Sequence, residues 1–249
     1  MTREEVNSND FGANGHQGTA IDITFDFRSD ANGRDPDSYS PTLRRYHQLL
    51  WNKPLPSGEV FELSSSKPGI YLYHHSALGE FRLSSDSVIP RFTRRPTMKP
   101  IIEQLPNQEI AFFNMIAYTV GGMMIFPSNQ IDHKMTINAA RGLIGAISDR
   151  FDLTLECIRR HYIDLDSPLA PTLSRYADFF ALFEDFHGYV NFFLLDDLVT
   201  EEDVVKYSIP FDGFQSSPFP KDVENYKEYR RRSIEFIEAR NQGIQQLRY

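Results

Sequence analysis

The feature that most constrains how this chain folds is a change of hydrophobic period about half-way along it. Between residues 59 and 90, short apolar runs at 60–63, 70–73 and 80–83 are separated by serines, by Lys67-Pro68-Gly69 and by Ala77-Leu78-Gly79. Runs of that length between turn residues predict strands, paired antiparallel because the connections are short. Beyond Pro127 the spacing becomes helical: Phe151, Leu155, Ile158 and Tyr162 recur every three or four residues, as do Leu173, Tyr176, Phe180 and Phe183. Residues 189–199 are apolar enough to require burial, and a final helix over about 221–247 carries Tyr226, Tyr229, Phe236, Ile237 and Ile244 among many charges. The class is therefore α+β, a mainly antiparallel sheet with one or two helices packed on a C-terminal bundle of helices. A strict alternation of strand and helix is missing, which argues against a doubly wound sheet.

Within the first half, residues 21–27 alternate, with Ile21, Ile23, Phe25 and Phe27 on one face and Asp22, Thr24 and Asp26 on the other, and predict a strand. Asp30, Asp35 and Asp37 follow around Asn32-Gly33. Ser40-Pro41 then reads as the N-cap and first position of a helix that Pro54 and Pro56 end. The apolar stretch 110–126 predicts two strands, or one bulged at Gly121-Gly122, at the centre of the sheet. Residues 1–20, polar and rich in Asn and Gly, are expected to form a mobile tail, and 21–249 one domain with a β-rich half (21–127) and a helical half (128–249).

Composition narrows the function classes. At 249 residues, 41% hydrophobic and 24% charged, the chain has the balance of a water-soluble globular protein. A net charge of −8 argues against a protein that grips duplex nucleic acid through a broad basic face. With Cys157 as the one cysteine, neither an intramolecular disulfide nor a cysteine-built zinc site can form, which fits a reducing compartment. The N-terminus lacks the apolar segment of a secretory leader, and the run 110–126 is short of a membrane span; the expectation is a cytoplasmic protein with no membrane partner.

Several stretches together resemble a known family: Phe25-Asp26-Phe27-Arg28, residues 39–47 (YSPTLRRYH), residues 50–56 (LWNKPLP), residues 149–162, residues 175–180, Gly188-Tyr189-Val190 and residues 229–241. They resemble a bacterial family of uncharacterised intracellular proteins, a domain of unknown function. The resemblance spans the chain from about residue 20. It implies one co-evolved unit of bacterial or phage origin, and no assigned activity, cofactor or catalytic residue.

The residues themselves offer several candidate sites. The acidic turn 30–37 lacks both the alternation and the closing glutamate of a calcium loop, and reads as turn and helix-cap chemistry with no metal. Asp26 ends an apolar run as a phosphatase nucleophile would, but Arg28 stands where a second aspartate is needed, so pairing with Arg28, Arg44 or Arg45 is expected instead. Ser64-Ser65-Ser66, with Arg28 or His47 upstream and Glu103 or Glu109 downstream, imitates the layout of NAD-using ADP-ribosyltransferases without their paired glutamates. Among His47, His74, His75, His161 and His187, His47 stands out as an acid–base candidate because it shares a helix with Arg44 and is expected to face the aspartates. Arg91, Arg94, Arg95 and Lys99 around Phe92 form a basic loop, and Arg230-Arg231-Arg232 a charged helix face paired with Glu228. Arg141 beside Asp149, Arg150 and Asp152 reads as a salt network at a helix start.

These readings lead to two expectations. One is a binding or regulatory protein that recognises an anionic small molecule or a protein partner through Arg28, Arg44, Arg45 and His47. The other is an enzyme acting on a nucleotide or other phosphate-containing substrate, with His47 or Asp26 as acid or base. Convergence of Asp26, Arg28, Arg44 and His47 in one pocket separates the second from the first.

Overall fold

A computed structural model describes residues 21–65, 72–90, 92 and 95–247. The expected tail, the start of the run 70–73, Ser66, Arg91 and Arg94 lie outside the described residues. Helix α1 (Pro36–Tyr39) and helix α2 (Pro41–Trp51) precede a hairpin of β1 (Leu72–Ser76) and β2 (Gly79–Ser87). Helices α3 (Lys99–Ile102) and α4 (Asn107–Ile116) lead to β3 (Met123–Pro127). The rest is helical: α5 (Ile137–Leu143), α6 (Phe151–Tyr162), α7 (Ala170–Leu173), α8 (Ala177–Ala181), α9 (Phe186–Phe193) and the long α10 (Val223–Gln246). The fold is α+β.

The sheet is antiparallel in the order β1-β2-β3, with Leu72 opposite Leu83 and Asp86 opposite Met124. Along β2 the alternation sends Phe81, Leu83 and Ser85 into the core and leaves Ser84 and Asp86 on the other face. One hydrophobic cluster runs from Ile21 to Ile244 and takes in both halves of the chain. Its densest part is a nest of rings, in which Phe183 touches Tyr189, Phe192 and Phe193 at centroid distances of 5.0–5.4 Å.

Helix α2 forms as expected. Ser40 is its N-cap, its hydroxyl accepting from the Leu43 amide at 3.0 Å, and Pro41 is its first residue. Three other expectations are corrected. Residues 21–27 form turns instead of a strand, because Asp22 accepts from the Thr24 amide and hydroxyl and Asp26 from the Arg28 amide. Such local side-chain bonds satisfy the backbone without a ladder, although Ile21 and Phe27 are still buried. The apolar run 110–126 splits into α4, a turn through Gly121-Gly122 and β3, the ambiguity that a short apolar run carries. Strand β3 lies at the edge of the sheet, yet every residue in it is buried: α5 packs against it, and where it begins the Arg240 guanidinium of α10 donates to the carbonyls of Gly121 and Met123. Finally, residues 60–63 make only isolated bridges, Val60 with Pro54 and, just beyond, Ser64 with Tyr73. None of the described helices is long and apolar enough to cross a membrane.

Candidate functional site

The face of β2 that carries Ser84 and Asp86 is roofed by α1, and between them opens a cavity of about 570 Å³. Asp35, Asp37, Asp86, Asn138 and Asp149 supply its polar lining together with five serines and Arg95. A second cavity of about 370 Å³ adjoins it, sharing the wall of Ser87, Ile89, Pro90, Phe92 and Tyr118. Its charged lining is Arg28 and Arg34. The two together form a cleft with carboxylates at one end, arginines at the other and rings between.

The carboxylate end rests on Arg141, whose side chain is wholly buried. One guanidinium nitrogen donates to Asp86 at 2.8 Å, another lies 3.4 Å from the Asp149 carboxylate, and Nε donates to Thr154 Oγ1 at 3.0 Å. The guanidinium also lies over the Phe126 ring at 5.0 Å. Helix α5 sets this arginine in place, and the Asp149 amide donates back to the Arg141 carbonyl at 2.8 Å. Asp86 is largely withdrawn from water, its side chain 24% exposed. Burial therefore pushes its carboxyl up to about 7, with Asp149 and Asp35 pushing the same way against the opposing pull of Arg141.

Two further features mark this end. Ser148 and Asp149 are consecutive non-glycine residues in the left-handed region, with φ of 46° and 69°. That conformation costs such residues about 1–2 kcal/mol each, and strain of this kind collects at functional sites. Asn138 donates to Ser84 Oγ at 3.0 Å, while its own side-chain oxygen is buried with no hydrogen-bond partner among the described residues. It is an acceptor without a donor.

The structure disperses the residues expected to form a site. Asp26 and Arg28 neutralise each other in a two-pronged ion pair, and the Arg28 guanidinium lies over the Tyr118 ring at 5.0 Å. Arg44 donates to the Ser38 carbonyl, and Arg45 is on the exposed side of α2. His47 does not face the aspartates. It is buried, with Trp51 Nε1 donating to its Nδ1 at 3.0 Å and Nε2 standing 2.8 Å from Ser85 Oγ. Since Nδ1 accepts, Nε2 carries the proton and donates to the serine, so His47 cannot take a proton from Ser85. Burial, helped by Arg240, pulls its pKa down to about 3. Of the residues that imitate a transferase layout, Glu103 pairs with Lys99 and Glu109 with the buried Arg230. Among the described residues no three of His, Cys, Asp or Glu are placed to hold a metal ion.

The salt network read around Arg141 and Asp149 holds, with Arg150 and Asp152 forming a separate buried pair at 2.5 Å. What the residues alone did not single out is Asp86. The signal was there: in Ser84-Ser85-Asp86-Ser87 an unbroken polar run extends a strand, and such a run needs polar surroundings on both faces.

Residues 21–244 match a family described as of unknown function, DUF6994. The chain belongs to the DUF6994 family. That match covers the whole cleft, so both ends of it are part of the DUF6994 domain and not of an appended segment. No curated protein and no solved structure matches this DUF6994 chain.

Proposed function

We propose that this DUF6994 protein binds a small, hydroxylated, phosphate-bearing molecule along the cleft. The observation that carries the reading is the opposed polarity of two adjoining cavities, carboxylates and an unpaired amide oxygen at one end and two arginines at the other. Carboxylates and an amide oxygen accept from sugar hydroxyls; guanidinium groups recognise phosphate. Because Arg28 is offset by Asp26, Arg34 is the better placed phosphate ligand, held over the Tyr39 ring at 4.7 Å. This retains the expectation of an anionic ligand but moves its site from the α2 arginines to the cleft. A bacterial cytosolic setting belongs to the same reading, supported by the family resemblance and by a lone, buried cysteine.

Titration calorimetry with ribose 5-phosphate, inorganic phosphate and ribose tests it. The sugar phosphate is expected to bind more tightly than either fragment, and Arg34→Ala to weaken it about tenfold, about 1.4 kcal/mol. Asp37→Asn is expected to weaken ribose 5-phosphate while leaving phosphate unchanged. Equal affinity in the wild type and Arg34→Ala contradicts the reading.

A further inference from the structure

We propose that Asn32 is a self-modifying site: its side-chain amide closes on the Gly33 nitrogen to form a succinimide, and opening of that ring by water leaves a carboxylate beside Arg34. The protein thereby carries a slow, one-way switch at the arginine end of the cleft. The chemistry stands on the turn alone; its effect on the ligand rests on the binding reading above.

Residues 31–34 form a tight turn closed by the Arg34 amide, which donates to the Ala31 carbonyl at 3.0 Å. Asn32 and Gly33 fill its central positions with φ of 52° and 71°, the left-handed pair that Asn-Gly favours. Ala31 is wholly buried and anchors the turn, while Asn32 and Gly33 are exposed. Ring closure, which makes asparagine a thermolabile residue, needs a side chain free to swing and a following amide nitrogen that is neither engaged nor shielded. Among the described residues the Asn32 side chain makes no hydrogen bond and the Gly33 amide donates to none. Nothing lies within 4 Å of where a Cβ on Gly33 would stand, so the nitrogen is open to approach.

The other described asparagines lack this combination. Each is followed by a residue with a side chain, and Asn52, Asn129, Asn138 and Asn241 are also held by hydrogen bonds. Asp212-Gly213 shares the glycine, but the Asp212 carboxylate accepts from the Gln215 and Ser216 amides, and ring closure there leaves the charge unchanged.

The step balances with water as the only co-reactant. The Gly33 nitrogen attacks Asn32 Cγ and the N–Cγ bond forms; the Cγ–Nδ2 bond breaks, and Nδ2 leaves as ammonia with the proton given up by the Gly33 amide. Water then adds to either imide carbonyl and breaks its bond to the Gly33 nitrogen, which regains a proton. Opening at Cγ gives aspartate in an unchanged chain. Opening at the α-carbonyl gives isoaspartate, with the chain running through Cγ.

Either product acts on Arg34, which has no carboxylate partner among the described residues and rests on the Tyr39 ring at 4.7 Å. Asp26 already holds Arg28 in a two-pronged ion pair at the same two-residue spacing. An aspartate at position 32 offers Arg34 a similar partner, which competes with phosphate. Isoaspartate lengthens the backbone of the turn and shifts Arg34 itself.

The test ages the full chain at mildly alkaline pH and maps its peptides by mass spectrometry, with a free peptide of residues 29–36 as reference. The segment bearing Asn32 is expected to convert within about tenfold of the free peptide's rate, since an exposed turn opens at little cost. Segments bearing Asn52, Asn129 and Asn138 are expected to stay unchanged. Asn14-Gly15 lies outside the described residues and is read in its own peptide. By calorimetry, aged wild type and fresh Asn32→Asp are each expected to bind ribose 5-phosphate about threefold more weakly than fresh wild type. Asn32→Gly, which keeps the left-handed turn, is expected to hold its affinity on ageing. Slower conversion overturns the proposal, as does conversion that leaves the affinity unchanged. Fresh wild type that binds no sugar phosphate overturns the binding reading instead, and the peptide masses still decide the modification.

Discussion

His47 shows what a single side chain does here once its partners are known. In the unfolded chain an imidazole takes a proton near pH 6.5, whereas in the fold burial holds the pKa near 3. Between those values the unfolded state binds more protons, so this group's contribution to stability is present above about pH 6.5 and is lost as pH falls towards 3. Chemical denaturation at pH 7 and pH 4.5 is expected to show the wild type losing roughly 2–3 kcal/mol more than His47→Gln. An equal loss in both proteins contradicts the assignment. Asp86 acts with the opposite sign: its raised pKa means that stability falls as pH rises from about 4 to about 7. That contribution is common to both proteins and cancels from the comparison. Both residues carry the side chains that acid–base catalysis uses, and position in the sequence does not separate them. His47 looked the better candidate, because burial of a helix face can be read from spacing while the partner that fills Nδ1 four residues on, Trp51, cannot.

At the scale of elements, the contacts that set α10 against the sheet are closer than any spacing argument foresees. The Gly121 amide donates to Asn241 Oδ1 at 2.7 Å, and a Cβ on Gly121 would come within 2.6 Å of that oxygen and of the Ile237 carbonyl. Backbone cannot give way by that much, so Gly121→Ala is expected to destabilise the fold by more than about 2 kcal/mol in denaturant unfolding. A loss below about 0.5 kcal/mol contradicts this packing. The pair Gly121-Gly122 was legible as a break, but its reason was not: a close approach of a helix 120 residues away in the chain, not a bulge within a strand. Elements whose signal is local were read well. Ser40-Pro41 opens α2, and the Phe151, Leu155, Ile158 stripe lies buried along α6. Residues 21–27 and 110–116 misled because an alternating or apolar run says which faces are buried, and turns or a helix can bury those faces too.

Across the whole molecule, the change from strand-like to helical spacing carried the class, and the buried cluster from Ile21 to Ile244 shows how α10 draws the two halves onto one core. Arg240 illustrates the cost of that arrangement. Its guanidinium is 1% exposed and donates to the carbonyls of Gly121, Met123 and Phe193, with no carboxylate among its described partners, so burial pulls its pKa down while the carbonyls offset the lost water. The cleft is a property of this scale as well. Asp37 comes from α1 and Asp35 from the N-cap before it, Asp86 from β2, and Asn138 and Asp149 from α5 and the turn after it. No motif joins them, and for that reason the sequence pointed to parts of the site, the aspartate turn and the Arg141 network, without placing them together.

The most direct test of the account is a crystal structure of the protein grown with ribose 5-phosphate. The sugar is expected between Asp86 and Asn138, with the phosphate turned towards Arg34 across the wall of Tyr118. An empty cleft at saturating sugar phosphate, or the sugar bound only on the outer face of α2 beside Arg45, would contradict it.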